Sequence, residues 1–198
     1  DQKPLTEHLG TARNEIGRLD TILKQFLQAM RPTKPDREAT ELHKLLEESL
    51  FALSPELESR EIPVKLDLAP ELPSLDLDPT QIKQALYNVI RNAYQAVDQG
   101  EGEITIQTHV TDYEVRLSIS DNGSGISPET MGAMFEPFKT TKAEGTGLGM
   151  LIVRRILREH GGELEVESEE GVGTKVTLYF PRTDKRVRLL EDSAPIEV

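Results

Sequence analysis

Asp78-Pro79 is the point from which most of this chain's architecture can be read. An aspartate ahead of a proline is a good N-cap followed by a residue fitted to the first helical position, so a helix is expected to open there. Apolar residues recur at helical spacing through about Val97, and Gly100 and Gly102 end the run. The period then changes. Ile104 and Ile106, followed by Val115, Leu117 and Ile119, alternate with polar neighbours, which predicts strands near 103–111 and 113–121. A helix feeding directly into two alternating strands commits the stretch to a mixed α and β domain.

The reading extends in both directions. Residues 40–61 form a helical pattern with Leu42, Leu45, Leu46, Ser49, Leu50 and Leu53 on one face; Pro55 lies inside it, so one helix and two pieces both fit. The alternating run Ile62–Leu68 contains Pro63 and reads as an edge strand. A Gly-rich, Pro-containing stretch with little periodicity occupies 122–149. A helix near 149–160, ended by Gly161-Gly162, leads to closing strands near 163–169 and 173–180. The expected order is αβαββ, an irregular segment, then αββ: an α+β domain with helices on one face of a mixed sheet. Ahead of it, Leu5, Leu9, Ala12, Ile16, Leu19, Leu23, Phe26 and Met30 form a heptad stripe, widened by Ile22 and Leu27 and stopped by Pro32 and Pro35. That pattern fits an amphipathic helix lying on the domain, and equally one helix of a bundle whose partner is another chain or lies outside this sequence.

Composition excludes several classes of function. The 198 residues suffice for one good-sized domain and an appendage. Apolar residues at 36% and charged residues at 29% are a globular balance. No apolar run reaches the length of a membrane span. A formal charge of −12 repels nucleic-acid phosphates, so neither nucleic-acid binding nor membrane contact by this segment is expected. A small anion held by backbone N–H groups is not excluded by that charge. The absence of cysteine removes disulfides and thiolate metal sites and fits a reducing compartment, with a cytoplasmic location expected.

Four segments carry chemistry. In Tyr87–Ala93, Asn88 and Asn92 stand one helical turn apart, so two carboxamides share a face; their oxygens suit Mg²⁺, and two solvated asparagines would look the same. Ser120-Asp121-Asn122-Gly123-Ser124-Gly125-Ile126 sets a carboxylate at a strand end before two glycines, as a ligand contact or as an ordinary turn. Phe135-Glu136-Pro137-Phe138-Lys139-Thr140-Thr141-Lys142 joins two aromatics to a basic run, which fits either a loop anchor with a phosphate-seeking Lys142 or a satellite apolar cluster. Gly145-Thr146-Gly147-Leu148-Gly149 opens a helix, where successive N–H groups make an anion site; it fits neither the dinucleotide fingerprint nor a P-loop.

In this order the four segments resemble the motifs of the GHKL ATPase superfamily, and closely those of the histidine kinases. Asn88 to Asn92 is similar to the N box, Asp121 to Gly125 to the G1 box, Phe135 to Phe138 to the F box, and Gly145 to Gly149 to the G2 box. Gly171-Val172-Gly173-Thr174 resembles the last nucleotide-side motif. The lid sequence Phe-Lys-Thr-Thr-Lys and the segment Asn-Ala-Tyr-Gln-Ala look most like the nitrogen-regulatory sensor kinases. The resemblance covers about residues 40–181, and it extends to the stripe of residues 5–31, which resembles the second helix of that family's dimerisation hairpin.

The resemblance implies a two-layer α/β sandwich (the Bergerat, or GHKL, ATP-binding fold) preceded by a long helix from the dimerisation hairpin. The expected organisation is a partial hairpin at 1–35, an ATP-binding catalytic domain at 36–183 and a tail at 184–198. It implies that Asp121 receives the adenine amino group, that Thr174 helps hold the base, and that Asn92 with Asn88 binds Mg²⁺ and phosphate oxygens. Lys142 and the backbone of Gly145, Thr146, Gly147, Leu148 and Gly149 would embrace the phosphates, with Gly123, Gly125, Ile126, Thr140 and Thr141 completing the nucleotide site and Asn88, Asn92 and Lys142 acting in catalysis. The implied activity is transfer of the ATP γ-phosphoryl group to a histidine and then to a response-regulator aspartate, in a homodimer built through the hairpin. His8, His43, His109 and His160 all lack the family's acceptor context, so the acceptor is expected to lie outside this chain.

Two departures stand out. Gln95 and Ala96 take the places where many members carry a basic residue and an aromatic, and Lys139 stands where an aromatic is usual. A rival class, the ATP-hydrolysing gyrase- and MutL-like machines, carries a glutamate where this chain has Asn88, and a carboxamide cannot act as the base that activates water. The superfamily's protein serine kinases fall behind for the same reason. A degenerate module that binds nucleotide without catalysis is the third reading, and the intact four boxes argue against it.

Overall fold

The computed structural model describes residues 34–140 and 146–182, with Arg13, Ile16, Gly17, Leu23 and Leu27 as isolated positions in helical conformation. In chain order the elements are β1 (Glu38–Thr40), α1 (Leu42–Ser59), β2 (Val64–Asp67), β3 (Leu75–Leu77), α2 (Pro79–Ala96), β4 (Ile104–Val110), β5 (Glu114–Asp121), α3 (Pro128–Ala133), α4 (Gly149–Glu159), β6 (Glu163–Glu169) and β7 (Gly173–Pro181). Five strands form one sheet in the order β2-β4-β5-β7-β6; β2 runs parallel to β4 and the other neighbours are antiparallel. One face of this mixed sheet is covered by α1, α2 and α4, which gives the expected α+β two-layer sandwich.

The alternation in the strands explains the layering. Ile104 and Ile106 of β4, Val115, Leu117 and Ile119 of β5, and Val176, Leu178 and Phe180 of β7 are buried toward the helices. Against them lie Ile82, Leu86, Val89, Ile90 and Ala93 of α2, Leu42, Leu45, Leu46 and Leu53 of α1, and Val153, Ile156 and Leu157 of α4. The opposite face of the sheet is polar. There Arg116 pairs with Glu114 at 2.6 Å, Lys175 with Glu167 at 3.2 Å, and the Tyr179 hydroxyl donates to Glu165. The outermost strand β6 presents Glu163, Glu165, Glu167 and Glu169 at alternate, exposed positions.

Asp78 opens α2 as its cap: its Oδ1 accepts the N–H groups of Thr80 at 2.9 Å and Gln81 at 3.0 Å, while Pro79 occupies the first turn. Two features depart from the sequence reading, a second small sheet and a short helix, and one open choice is settled: the helix α1 runs unbroken through Pro55. A proline cannot donate to the carbonyl four residues back, and here the Ser54 hydroxyl donates to that carbonyl of Phe51 at 3.0 Å, on the exposed side of the helix. A two-stranded antiparallel sheet, β1 with β3, pairs Glu38 with Leu77 and Thr40 with Leu75. Inside the irregular segment, Ser127 and Pro128 start the six-residue helix α3. Of the heptad stripe and its widening residues, Ile16, Leu23 and Leu27 are helical and exposed, and the other members lie outside the described residues. No helix among the described residues is long and apolar enough to cross a membrane.

Candidate functional site

Between α2, the ends of β5 and β7, and the start of α4 lies a cleft of about 810 Å³. Strand register builds its floor. Asp121 of β5 is paired with Thr174 of β7, and Thr174 with Ser168 of β6, so the three side chains form one row on the helix-facing side. The next row inward is Ile119, Val176 and Val166, all three lining the cleft. A flat apolar floor thus ends at a polar edge.

Asn88 and Asn92 form the opposite wall. They project from α2 beside its buried residues Val89 and Ala93, and both line the cleft. The first turn of α4 reaches the same wall: an ideal Cβ at Gly149 would lie 3.7 Å from Asn88 Oδ1. The N-cap of α4 is Leu148, whose side chain caps nothing, so the amides of that first turn are not taken by a side-chain cap.

Glycines let three backbone segments meet at the rim. Gly125 holds φ +66°, and a Cβ there would lie 2.0 Å from the Glu169 carbonyl oxygen; the carbonyl of the preceding Ser124 accepts the Gly171 N–H at 2.8 Å. Gly147, also at φ +66°, has its Cβ position 2.6 Å from the Lys139 nitrogen, so the two ends of the segment following α3 are packed backbone to backbone. Phe135, just past α3, lies under the Arg154 guanidinium of α4 at 4.2 Å from its ring centroid. Burial, and next the neighbouring Arg158 charge, lower the Arg154 pKa from its ordinary value. The aromatic residue ties the segment to α4.

Of the residues singled out in the sequence, Asn88, Asn92, Asp121, Gly125, Ile126, Thr140, Thr146, Gly147, Gly149 and Thr174 line this one cleft. Gly123 does not; it lies behind the wall, where a Cβ would meet the Ala96 carbonyl oxygen at 2.3 Å, and its N–H donates to Asp121 Oδ1 at 3.0 Å. Leu148 is fully buried in the core. Thr141, Lys142 and Gly145 lie outside the described residues. The cleft also takes in Arg91, Gln95, Ala96, Lys139 and Glu170, so the two departures at 95 and 96 do face it. The floor residues Ile119, Val166 and Val176 were not anticipated as site residues, although strand parity with Asp121 and Thr174 carried the signal.

The donor set fits one kind of cation. No cluster of three or more His, Cys, Asp or Glu residues among the described residues is arranged to hold a metal. The carboxamides of Asn88 and Asn92, beside an uncapped helix start, fit a hard ion that takes its remaining oxygens from phosphate and water.

The family model for histidine kinase-, DNA gyrase B-, and HSP90-like ATPases matches residues 77–184. The sensor histidine kinase ZraS of Escherichia coli (strain K12) is 37% identical over 167 residues, which are 84% of this chain and 36% of that protein; the chain therefore spans little more than a third of this curated relative. Full-length ShkA in complex with AMPPNP superposes with a TM-score of 0.76 at 25% identity, over 88% of this chain and 38% of that one. Histidine kinase ThkA in complex with the response regulator protein TrrA gives a TM-score of 0.76 at 29% identity, over 94% and 54%. Motif order, a cleft that gathers the motifs, and these matches agree: the chain belongs to the histidine kinase-, DNA gyrase B-, and HSP90-like ATPase family, as a sensor histidine kinase catalytic domain.

Proposed function

We propose that the cleft binds ATP with Mg²⁺ and that, within a longer protein, this domain donates the γ-phosphoryl group to a histidine for relay to a response-regulator aspartate. The observation that carries the reading is the cleft itself: a polar edge of Asp121 and Thr174 on an apolar floor stands across from Asn88, Asn92 and the start of α4. The base lies on Ile119, Val166 and Val176, with its amino group toward Asp121. The phosphates extend toward the amides of Gly147 to Gly149, where N–H dipoles at a helix start favour anionic oxygens. Thr140 and Thr146, which line the cleft, face the phosphates, and Thr141, Lys142 and Gly145 are assigned to phosphate binding by the family resemblance alone.

Asn88 and Asn92 would hold Mg²⁺. The ion supplies charge neutralisation at the phosphate oxygens when bound. The protein's own part is to fix the nucleotide and exclude water, since phosphoryl transfer depends mostly on positioning and charge. Asn88 cannot act as a base, so a transfer reaction is favoured over hydrolysis.

The domain boundaries proposed are 1–35 for a hairpin helix, 36–183 for the catalytic domain and 184–198 for a tail. A homodimer through the hairpin, a response-regulator partner and a cytoplasmic setting belong to the same reading; the TrrA complex of ThkA supports the partner, and the AMPPNP complex of ShkA supports the ligand. The test is isothermal titration of the chain with AMPPNP, with and without Mg²⁺. Saturable binding strengthened by Mg²⁺ is expected, and heat no greater than dilution under both conditions rules the reading out.

A further inference from the structure

Ser168 lies just outside the cleft, and its hydroxyl is at the centre of three contacts. The Ile126 N–H donates to Ser168 Oγ at 2.9 Å, the Gly173 carbonyl oxygen lies 2.9 Å from it, and Thr174 Oγ1 lies 2.9 Å from it. Ser168 is not one of the side chains lining the cleft, whereas Ile126 and Thr174 both are.

A hydroxyl has one proton and two lone pairs. The Gly173 carbonyl can only accept, so a hydrogen bond there takes the Ser168 proton. The Ile126 N–H fills one lone pair. The second lone pair is then filled only if the Thr174 hydroxyl donates. This is the one assignment that satisfies all three contacts, and it fixes Thr174: its proton points at Ser168 and its lone pairs are left for the cleft. Asp121, directly across the strand pair from Thr174, brings a carboxylate that likewise only accepts.

We propose that Ser168 is a positioning residue for base recognition: it orients the Thr174 hydroxyl as an acceptor, so that the Asp121–Thr174 edge selects a purine with a 6-amino donor over one with a 6-oxo acceptor. The proposal rests on the reading that the cleft holds an adenine nucleotide. A purine carrying an oxygen at that position sets acceptor against acceptor, which leaves buried polar groups unpaired and lowers affinity steeply. The same hydroxyl, through Ile126, holds the first residues of the segment that leads to α3. Base recognition and the chain leading into α3 are thereby built on one oxygen.

The experiment is a double-mutant cycle on the 198-residue chain, titrated with AMPPNP and GMPPNP in the presence of Mg²⁺. Ser168→Ala frees the Thr174 rotor, and the expected result is an AMPPNP affinity about tenfold lower, the scale of one lost hydrogen bond. GMPPNP affinity should change less, so the ratio between the two narrows. Thr174→Val should narrow it as well, and Ser168→Ala/Thr174→Val should be no worse than Thr174→Val alone, because Ser168 acts through Thr174. An unchanged AMPPNP to GMPPNP ratio in Ser168→Ala, or losses that multiply in the double variant, overturns the proposal; a purely structural serine would weaken both ligands alike. If Ser168→Ala is unstable, Ser168→Cys keeps the volume with a weak acceptor, and the same narrowing is expected; an unchanged ratio there overturns it equally. Asp121→Asn is the control for the underlying reading. If it leaves AMPPNP affinity intact, the adenine assignment fails whatever Ser168 does.

Discussion

The backbone N–H of Asp78 donates to His160 Nε2 at 3.0 Å, joining the residue that caps α2 to the residue that ends α4 across 82 positions of sequence. His160 Nδ1 lies 2.7 Å from the Ile156 carbonyl oxygen, so the ring is the tautomer that donates from Nδ1 and accepts at Nε2. Asp78 Oδ2 also accepts the Asp36 N–H at 3.0 Å, and the Arg37 guanidinium donates to the Glu159 carbonyl. Residues 36 and 37 are thus held where the two helix ends meet. The imidazole is buried, at 3% exposure, and its loss strands a backbone donor. His160→Ala is expected to destabilise the domain by about 1–3 kcal/mol, seen as a lower urea midpoint at an unchanged slope. AMPPNP affinity should be little affected, because the cleft is at the other end of the eleven-residue α4.

Replacing Asp121 by Asn tests the polar edge directly. The substitution keeps shape but can turn an amide donor toward the amino group of the base. A mismatch of that kind costs on the order of 1–3 kcal/mol. Titration should show AMPPNP binding weakened about tenfold or more, with the thermal midpoint of the free protein nearly unchanged. Equal affinities for the two proteins would remove Asp121 from the site.

Gly125→Ala combines a positive φ with a position 2.0 Å from a carbonyl oxygen that belongs to β6. Neither the strand nor the turn can yield cheaply, so a loss of about 2 kcal/mol or more is expected. Chemical denaturation would measure it. Gly132→Ala is the matched control: nothing lies within 4 Å of its Cβ position, and no loss is expected.

Tyr179 gives a pH-dependent prediction on the polar face of the sheet. Its hydrogen bond to Glu165, followed by desolvation and the Glu165 charge, raises its pKa above the ordinary tyrosine value of 10.0. A group whose folded pKa is raised adds stability below the unfolded value and loses it as pH rises through the folded one. The contribution is therefore complete below about pH 10 and disappears in the alkaline range. Ultraviolet titration should find one tyrosine ionising late, and Glu165→Gln should bring it back toward the others. No late tyrosine in the native protein would contradict the assignment.

Much of this was legible because the informative signals are local. Asp78-Pro79 announced α2, and alternation announced β4, β5 and β7 with boundaries that shifted by only a residue or so. The motifs of Asn88, Asn92, Asp121 and Thr174 pointed to one cleft because each sits on an element whose type was readable. Much of what escaped was set by distant partners. The strands β1 and β3 have three residues each, too few for the alternation of Leu75-Asp76-Leu77 to mark a strand; their mutual pairing makes them strands. Pro55 leaves α1 whole because Ser54 replaces the missing donor, a local compensation that propensity does not register. His160 falls at the C-terminus of the helix read near 149–160 and does cap α4, but its hydrogen bond to Asp78, far up the chain, has no local signal. Ser127-Pro128 was a readable start signal for α3 inside a stretch judged irregular. Ser168 offered no sequence cue, since its importance lies in register with Thr174.

The row of glutamates on β6 bears on how the protein behaves in company. A lateral strand exposes unpaired backbone groups that can template another copy. Antiparallel pairing of two β6 strands would set like charges opposite one another at every second position, which is unfavourable at each pair. Lys175 and Tyr179 engage Glu167 and Glu165 within one molecule, but no second set of partners comes with a second copy. At the other margin β2 follows Pro63 and carries Lys65 bound to Glu103 at 2.7 Å. Fibrillar stacking through either margin is thus disfavoured at high local concentration, and any association between subunits is left to surfaces other than the sheet.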